Sequence, residues 1–491
     1  MQGITRWLLR IERVGNRLPD PVTLFLLFIA VLVLLSVLAS GLGLSALHPG
    51  TAETITAENL LQKQWVQKML VEMPQTFMQF PPLGLVLVMM LGISVAEKSG
   101  LIDAVLQRSL LKLPPAWLTS GLVFLGIQSS LAADAGYVVL IPLGAAVFAS
   151  VGRHPLAGLA AAFAGVSAGF SANLLLTSLD PLLAGLTQAA MQLVGDVELP
   201  ITINYYLMVA LVPLFTLAAT LVTHRVIEPY LAQGDWQSVT TETALLTVDQ
   251  QQRGLRFVLL VTLLFVLLIG LGLVSGGWLR DAQDGLTVFY QSLVALLAIG
   301  FFSIGLAYAI GSRQVKSDKT IVTYANDGMR DMASYIVLAF VAAHFIALFK
   351  WSNLGLITAV KGAEILQSLP VPAWVLLMAF IVVSGLINLV VGSASAKWAI
   401  MAPVFVPMLF LAGYPPELTQ AAFRIGDSVT NILTPLLPYF PLVLITAQRY
   451  QPNVGIGSLI ALMLPYSMAM GLVGTATLLI WFLTGWPLGP G

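Results

Sequence analysis

The sequence predicts an all-α polytopic membrane protein: about nine transmembrane helices and two re-entrant helical hairpins, arranged as an inverted internal repeat. Three observations carry that expectation. They are a composition poor in charge, long apolar runs free of charge, and a self-similarity between the two halves of the chain.

Of the 491 residues, 58% are apolar and 9% are charged, against roughly 25% charged in a soluble domain. A chain of this size cannot cover a water-facing surface with so little charge. A formal net charge of zero, without a long basic run, removes the electrostatic footprint of a nucleic-acid partner. The chain has no cysteine and four scattered histidines, so disulfides, thiolate chemistry and zinc-ligand spacings are excluded. No Walker-type phosphate loop is present. With no nucleophile and base paired near the hairpin tips, an enzyme is not expected. A channel would more often repeat around a symmetry axis than carry one inverted duplication per chain.

The first element is an Arg-bearing amphipathic stretch, residues 4–14. The apolar run 21–45 follows; it is too long for a signal-peptide core, lacks a small-residue cleavage site and is expected as a retained span. Further spans are expected at 81–98, 155–195, 203–229, 254–276, 286–313, 334–350, 416–448 and 456–485, each bounded by Pro, Gly or charge. Two other apolar regions, about 116–151 and 372–413, are interrupted by Gln128-Ser129-Ser130 to Asp134 and by Gly392-Ser393-Ala394-Ser395-Ala396-Lys397. Their halves are short for a crossing, which predicts hairpins that enter and leave on one side. With the hairpins not crossing, Arg6, Arg10, Arg13, Arg17, Lys98, Arg108, Lys112, Arg225, Arg313, Lys319, Arg330 and Arg449 share one face. The positive-inside rule makes that face cytoplasmic and places the N-terminus inside.

The repeat is read from matching segments. Residues 100–105 match 355–360, and Leu113-Pro114-Pro115-Ala116-Trp117 matches Leu369-Pro370-Val371-Pro372-Ala373-Trp374. Ser171-Ala172-Asn173 parallels Val429-Thr430-Asn431. An N-terminal half, 1–230, a cytoplasmic linker, 231–253, and a C-terminal half, 254–491, follow. An odd number of crossings between the Trp markers inverts one half relative to the other, so the two polar tips meet near the bilayer midplane.

Charges inside a membrane are costly and usually face the bundle interior. Asp134, Asp180, Lys397, Arg424 and Asp427 lie in or beside the hairpins and the helices that follow them. Arg424 suits bidentate capture of a substrate carboxylate, and Asp427 suits cation binding or titration. The alternative is that Arg424 and Asp427, at i and i+3, neutralise each other. Asp180, before Pro181, marks an unwound stretch fit for a cation or proton; its alternative is an N-cap with Pro181 at the first helical position. Ser129, Ser130, Ser393, Ser395, Asn173, Asn388 and Asn431 offer hard oxygens at helix breaks, or simply let helices approach closely. Trp398 at the second tip is a candidate to stack on an aromatic ligand, whereas Trp117 and Trp374 read as interfacial anchors. Pro416 and Pro435 bracket the span 416–448, as helix starter and kink.

Four segments resemble the p-aminobenzoyl-glutamate transporter family: Val151-Gly152-Arg153-His154-Pro155-Leu156-Ala157-Gly158-Leu159, Gly169-Phe170-Ser171-Ala172-Asn173-Leu174-Leu175, Phe423-Arg424-Ile425-Gly426-Asp427-Ser428 and the closing Leu488-Gly489-Pro490-Gly491. The resemblance implies a homodimeric secondary transporter of a bacterial inner membrane. It implies p-aminobenzoyl-glutamate as substrate, or export of p-aminobenzoate-like antimetabolites such as sulfonamides. It further implies functional roles for Asp180, Ser395, Trp398, Pro416, Arg424, Asp427 and Pro435, with Asn388 near a bound Na⁺. No cofactor is expected beyond the coupling ion, Na⁺ or H⁺; import and export remain open, since both would use the same residues.

Overall fold

The structure, a computed structural model, describes residues 20–47, 54–132, 136–195, 197–232, 248–315 and 317–490. The basic stretch 4–14, Asp134 and most of the expected linker, residues 233–247, lie outside the described residues. The chain is an all-α polytopic membrane protein, and eight of its described helices are long and apolar enough to cross a bilayer.

α1 (Pro21–Gly41) starts behind the Asp20 carboxylate, which accepts the Val22 N–H at 2.8 Å and caps the helix. It ends four residues short of the expected boundary, because Ser45–Leu47 pairs with Thr54–Thr56 in a small antiparallel ladder. α2 (Lys63–Met78) was not expected; it is amphipathic and runs into α3 (Pro81–Lys98) as one helical run, Lys63–Lys98. α4 (Leu101–Leu111) then bends by 120° into the first hairpin. The arms of that hairpin are α5 (Leu118–Gln128), prolonged by the turn Ser129–Ala132, and Gly136–Leu140 continuing as α6 (Ile141–Ser150).

The span expected at 155–195 is broken. α7 (Pro155–Phe163) and its last turn, Ala164–Ala168, are separated from α8 (Leu179–Met191) by an irregular stretch. α9 (Tyr205–Val222), α10 (Val248–Leu273) and α11 (Thr287–Gly311) follow as single spans. A second unexpected amphipathic helix, α12 (Asp318–Asp331), precedes α13 (Ala333–Trp351). The C-terminal half repeats the pattern: α14 (Leu354–Ser368), then a hairpin of α15 (Ala373–Asn388) and α16 (Ala394–Leu411). The span expected at 416–448 is broken between α17 (Pro416–Thr430), with its short turn Asn431–Leu433, and α18 (Phe440–Tyr450). α19 (Ile456–Thr484) closes the chain.

The helices of these pairs run 15 to 18 residues, roughly 22–27 Å at 1.5 Å per residue, and α16 is the one among them long and apolar enough to count with the eight candidate crossings. Each arm packs on the broken spans. α15 lies along α17, and α16 lies against both α14 and α8. Small residues permit these contacts: a Cβ on Gly426 would stand 2.2 Å from the Ile381 carbonyl oxygen, so only glycine lets α17 cross α15 this closely. Trp117 and Trp374, at the hairpin bases, are exposed as interfacial anchors would be.

Candidate functional site

The local sequence explains how each tip and break is built. Pro181 falls in the first turn of α8, where its missing N–H would have no partner anyway. The helix begins at Leu179, so Asp180 is inside the first turn and is not the N-cap. Its Oδ2 reaches back to accept the Thr177 N–H at 2.6 Å and the Thr177 hydroxyl at 3.0 Å. At the second tip, Ser393 caps α16 by accepting the Ala396 N–H at 3.3 Å. Pro416 starts α17, and Pro435 lies in the break between α17 and α18. A Cβ on Gly392 would sit 2.6 Å from the Leu436 carbonyl oxygen, so the second tip rests on that break.

Four buried charges form two pairs, and neither is the Arg424–Asp427 pair that their spacing allows. Arg424 Nη1 donates to Asp180 Oδ1 at 2.6 Å, joining the broken spans of the two halves. Lys397 Nζ contacts the Asp427 carboxylate and Asn388 Oδ1, joining the second tip to α17. All four side chains are nearly inaccessible. A buried pair is expensive to form and more expensive to half-remove, so each pair fixes the relative position of its two elements. Arg424 Nε and Nη2 are buried without a hydrogen-bond partner among the described residues. These two groups form one edge of the guanidinium fork, the geometry that takes a carboxylate side-on.

Asn388 completes the second corner. Its Nδ2 lies 2.6 Å from the Asp427 carbonyl oxygen, 2.8 Å from Thr430 Oγ1 and 2.9 Å from Asn431 Oδ1. In the first half, the Ser129 and Ser130 hydroxyls donate to the carbonyls of Gly126 and Ile127. Asn173 donates to the Phe170 carbonyl, while its Oδ1 is buried with no partner among the described residues. Ser393 and Ser395 hydroxyls stand 3.1 Å apart. The structure therefore joins Asn388 to Lys397 through its oxygen and to the Asp427 backbone, Thr430 and Asn431 through its nitrogen, while the hydrogen bonds of Ser129, Ser130 and Asn173 run to nearby carbonyls of their own segments.

Trp398 is placed differently from the sequence expectation. Its ring is fully buried and stacked on Phe423 at 4.5 Å, and its N–H donates to Thr187 Oγ1 at 3.0 Å. A ligand cannot stack there unless that packing opens. The Thr187 hydroxyl goes on to Gln420, and Gln420 to Asn204, in a buried polar chain across the two halves. Sequence reasoning missed Thr187, Asn204 and Gln420. A signal for Gln420 was present: residues 420, 424 and 427 fall on one face of α17 and 431 follows at the same spacing in the turn after it, a polar stripe in an apolar chain.

The two tips and the two breaks converge on one cavity of about 300 Å³. Ser130 and Tyr137 reach it from the first tip, Phe170 and Ser178 from the first break, Ser395 from the second tip and Tyr439 from the second break. Tyr137 and Tyr439 stack at 4.5 Å and 14°. A second cavity of about 540 Å³ shares Tyr335 and Ser395 with the first and extends to Asp20 and Asp331. The path thus opens on the face where α1 begins and α12 ends. The Tyr335 hydroxyl, between them, is buried without a partner among the described residues.

Residues 6–491 match the sequence model of the AbgT putative transporter family. The chain belongs to the AbgT family. It is 35% identical over 486 residues to the p-aminobenzoyl-glutamate transport protein of Escherichia coli K12, covering 98% of this chain and 95% of that one. The solved YdaH transporter of Alcanivorax borkumensis, described as having an unusual topology, superposes with a TM-score of 0.93 at 43% identity, over 96% of this chain and all of that one. MtrF of Neisseria gonorrhoeae, described within a class of antimetabolite efflux pumps, superposes with a TM-score of 0.90 at 40% identity, over 99% of both chains. This AbgT-family chain is a multi-pass membrane transporter, not an enzyme.

Proposed function

We propose that this AbgT-family protein is an ion-coupled secondary transporter of p-aminobenzoyl-glutamate and p-aminobenzoate-like compounds, exporting sulfonamide antimetabolites by alternating access. The observation that carries the reading is the cavity at the convergence of both tips and both breaks. Its walls combine aliphatic side chains with the rings of Tyr137, Phe170, Tyr335 and Tyr439, and its polar side chains are those of Ser130, Ser178, Ser395 and the three tyrosines, a lining that suits a benzoyl ring bearing an amine. Arg424, paired with the Asp180 that follows the cavity-lining Ser178 and Leu179 in the chain, supplies the unpartnered fork for a carboxylate once that pair opens. The names of the Escherichia coli and Neisseria relatives support the substrate class.

The four buried charges sum to zero, two cations against two carboxylates. An anionic substrate therefore brings charge that the site does not balance, and burying it alone is costly. A co-moving or counter-moving Na⁺ or H⁺ relieves that cost. The protein acts as a homodimer in a bacterial inner membrane with its N-terminus cytoplasmic, as its basic residues favour; the hairpins re-enter from opposite sides, and the described cavity faces the cytoplasm.

The test is flux of radiolabelled p-aminobenzoyl-glutamate and of sulfonamide in proteoliposomes, with proton and sodium gradients imposed separately in each direction. Outwardly directed, gradient-driven flux that is lost in Asp180→Ala and in Asp427→Ala protein of native fold supports the reading. Flux that survives both changes removes these residues from the transport site, and inward flux alone reverses the direction.

A further inference from the structure

We propose that the Lys397 ammonium is a tethered cation that fills the cation corner of the C-terminal half, so that no sodium ion binds between Asn388 and Asp427. Residues at this corner have the chemistry of a sodium site: a carboxylate, two amide oxygens and a hydroxyl at a helix break. Lys397 already holds the two oxygens an ion would need most. Its Nζ contacts the Asp427 carboxylate and Asn388 Oδ1, and the residue is wholly buried.

The orientation of Asn388 is locked from its other end. Its Nδ2 faces three oxygens, of the Asp427 backbone, Thr430 and Asn431. Turning the amide over would press an NH₂ group on the ammonium and leave three acceptors facing an oxygen. Asn388 Oδ1 therefore points at Lys397 and nowhere else. Charge leads to the same result. The corner holds one carboxylate, and Lys397 stands in the first turn of α16, at the positive end of the helix dipole. A sodium ion added to the ammonium would bury a second, unbalanced positive charge. A side chain on the same chain also competes at a high effective concentration that a free ion cannot match.

The pairing ties the second tip to α17 without a dissociable ion. Any sodium dependence of transport then arises elsewhere; the first half offers the buried Asn173 Oδ1, which has no partner among the described residues. The inference deepens the ion-coupled reading above and takes its significance from it, but its test needs no substrate.

Radiolabelled sodium binding and melting temperature are measured on purified full-length wild type, Lys397→Ala and Lys397→Ala/Asp427→Asn, in sodium and in choline. The Lys397→Ala protein is expected to bind one more sodium ion per protomer than wild type and to melt higher in sodium than in choline. Both gains are expected to vanish in the double variant. Equal sodium stoichiometry in wild type and Lys397→Ala overturns the proposal. If Lys397→Ala does not fold in either salt, Lys397→Ser is read in its place, and failure of both to fold in sodium equally overturns it, because sodium should substitute for the lost ammonium. Absence of substrate flux with these stoichiometries intact would count against the transport reading alone.

Discussion

At the scale of single residues, the two crossed ion pairs dominate. Asp180→Ala leaves Arg424 buried without its carboxylate, and unpairing a buried charge costs about 3–5 kcal/mol. A lowered denaturation midpoint is expected, and the Asp180→Ala/Arg424→Ala double variant should recover part of it, because two costs share one cause. Additive losses in that cycle would contradict the pairing. Tyr439 and Tyr137 carry the aromatic wall of the cavity. Tyr439→Ala should raise the KM for p-aminobenzoyl-glutamate by about 2–10-fold, the worth of one aromatic contact of roughly 0.5–1.5 kcal/mol, while Tyr439→Phe stays near wild type; an unchanged KM in Tyr439→Ala removes the ring from the substrate wall. The identities of the charged residues were legible in the sequence, because a charge in an apolar run is conspicuous. Their partners were not: Arg424 and Asp427 share a helix, and spacing alone favours the local pair over partners 244 and 30 positions away. Trp398 was likewise conspicuous, yet nothing in its neighbours announced that Phe423 and Thr187 would occupy its face and its N–H.

At the scale of elements, the hairpins and breaks follow from small polar residues placed inside apolar runs. The sequence located seven unbroken spans, and the paired shorter helices about each interrupted region, because hydropathy and length act locally. It left 63–78 and 318–331 unassigned, since amphipathic helices at a membrane face lack the uniform apolar signal. It bounded 155–195 and 416–448 as single spans, because a break of a few residues barely changes an averaged hydropathy, while Pro181, Asn173, Asn431 and Pro435 already marked unwound or kinked stretches inside them. Close crossing of α15 and α17 depends on Gly426. Gly426→Ala should lower the melting temperature, at a cost of about 1–3 kcal/mol for overpacking, and a melting temperature equal to wild type would refute the contact. The loop between α10 and α11 makes a further prediction. Asp281 has its pKa depressed, first by the Thr287 hydroxyl and then by the Gly285 N–H, and Asp284 by the Gly276 N–H and the Ser275 hydroxyl. Depressed carboxylates stabilise above their ordinary pKa and cease to do so as pH falls through the folded value. Protection of the amides in residues 274–286, taken against their intrinsic exchange rates at each pH, should therefore fall on acidification below the usual aspartate range, and protection that shows no such step would remove these carboxylates as the loop's clasp.

At the scale of the whole molecule, one cavity receives both tips and both breaks, the arrangement that the inverted repeat expected from the sequence would produce. The self-similarity near residues 100–117 and 355–374 was legible, but the opening of the cavity toward Asp20 and Asp331 was not, because which side is open depends on the packing of α1, α12 and α13 around Tyr335. The absence of native cysteine makes a site at the meeting of the two tips directly measurable. Ser130→Cys and Ser395→Cys proteins, each with a single thiol, are labelled with a membrane-impermeant maleimide from either side, with and without p-aminobenzoyl-glutamate. Both positions are expected to react from the Asp20 and Asp331 face, and substrate is expected to protect both. Thiols that react at equal rates with and without saturating substrate, in protein that still transports it, would contradict a site at the meeting of the two tips.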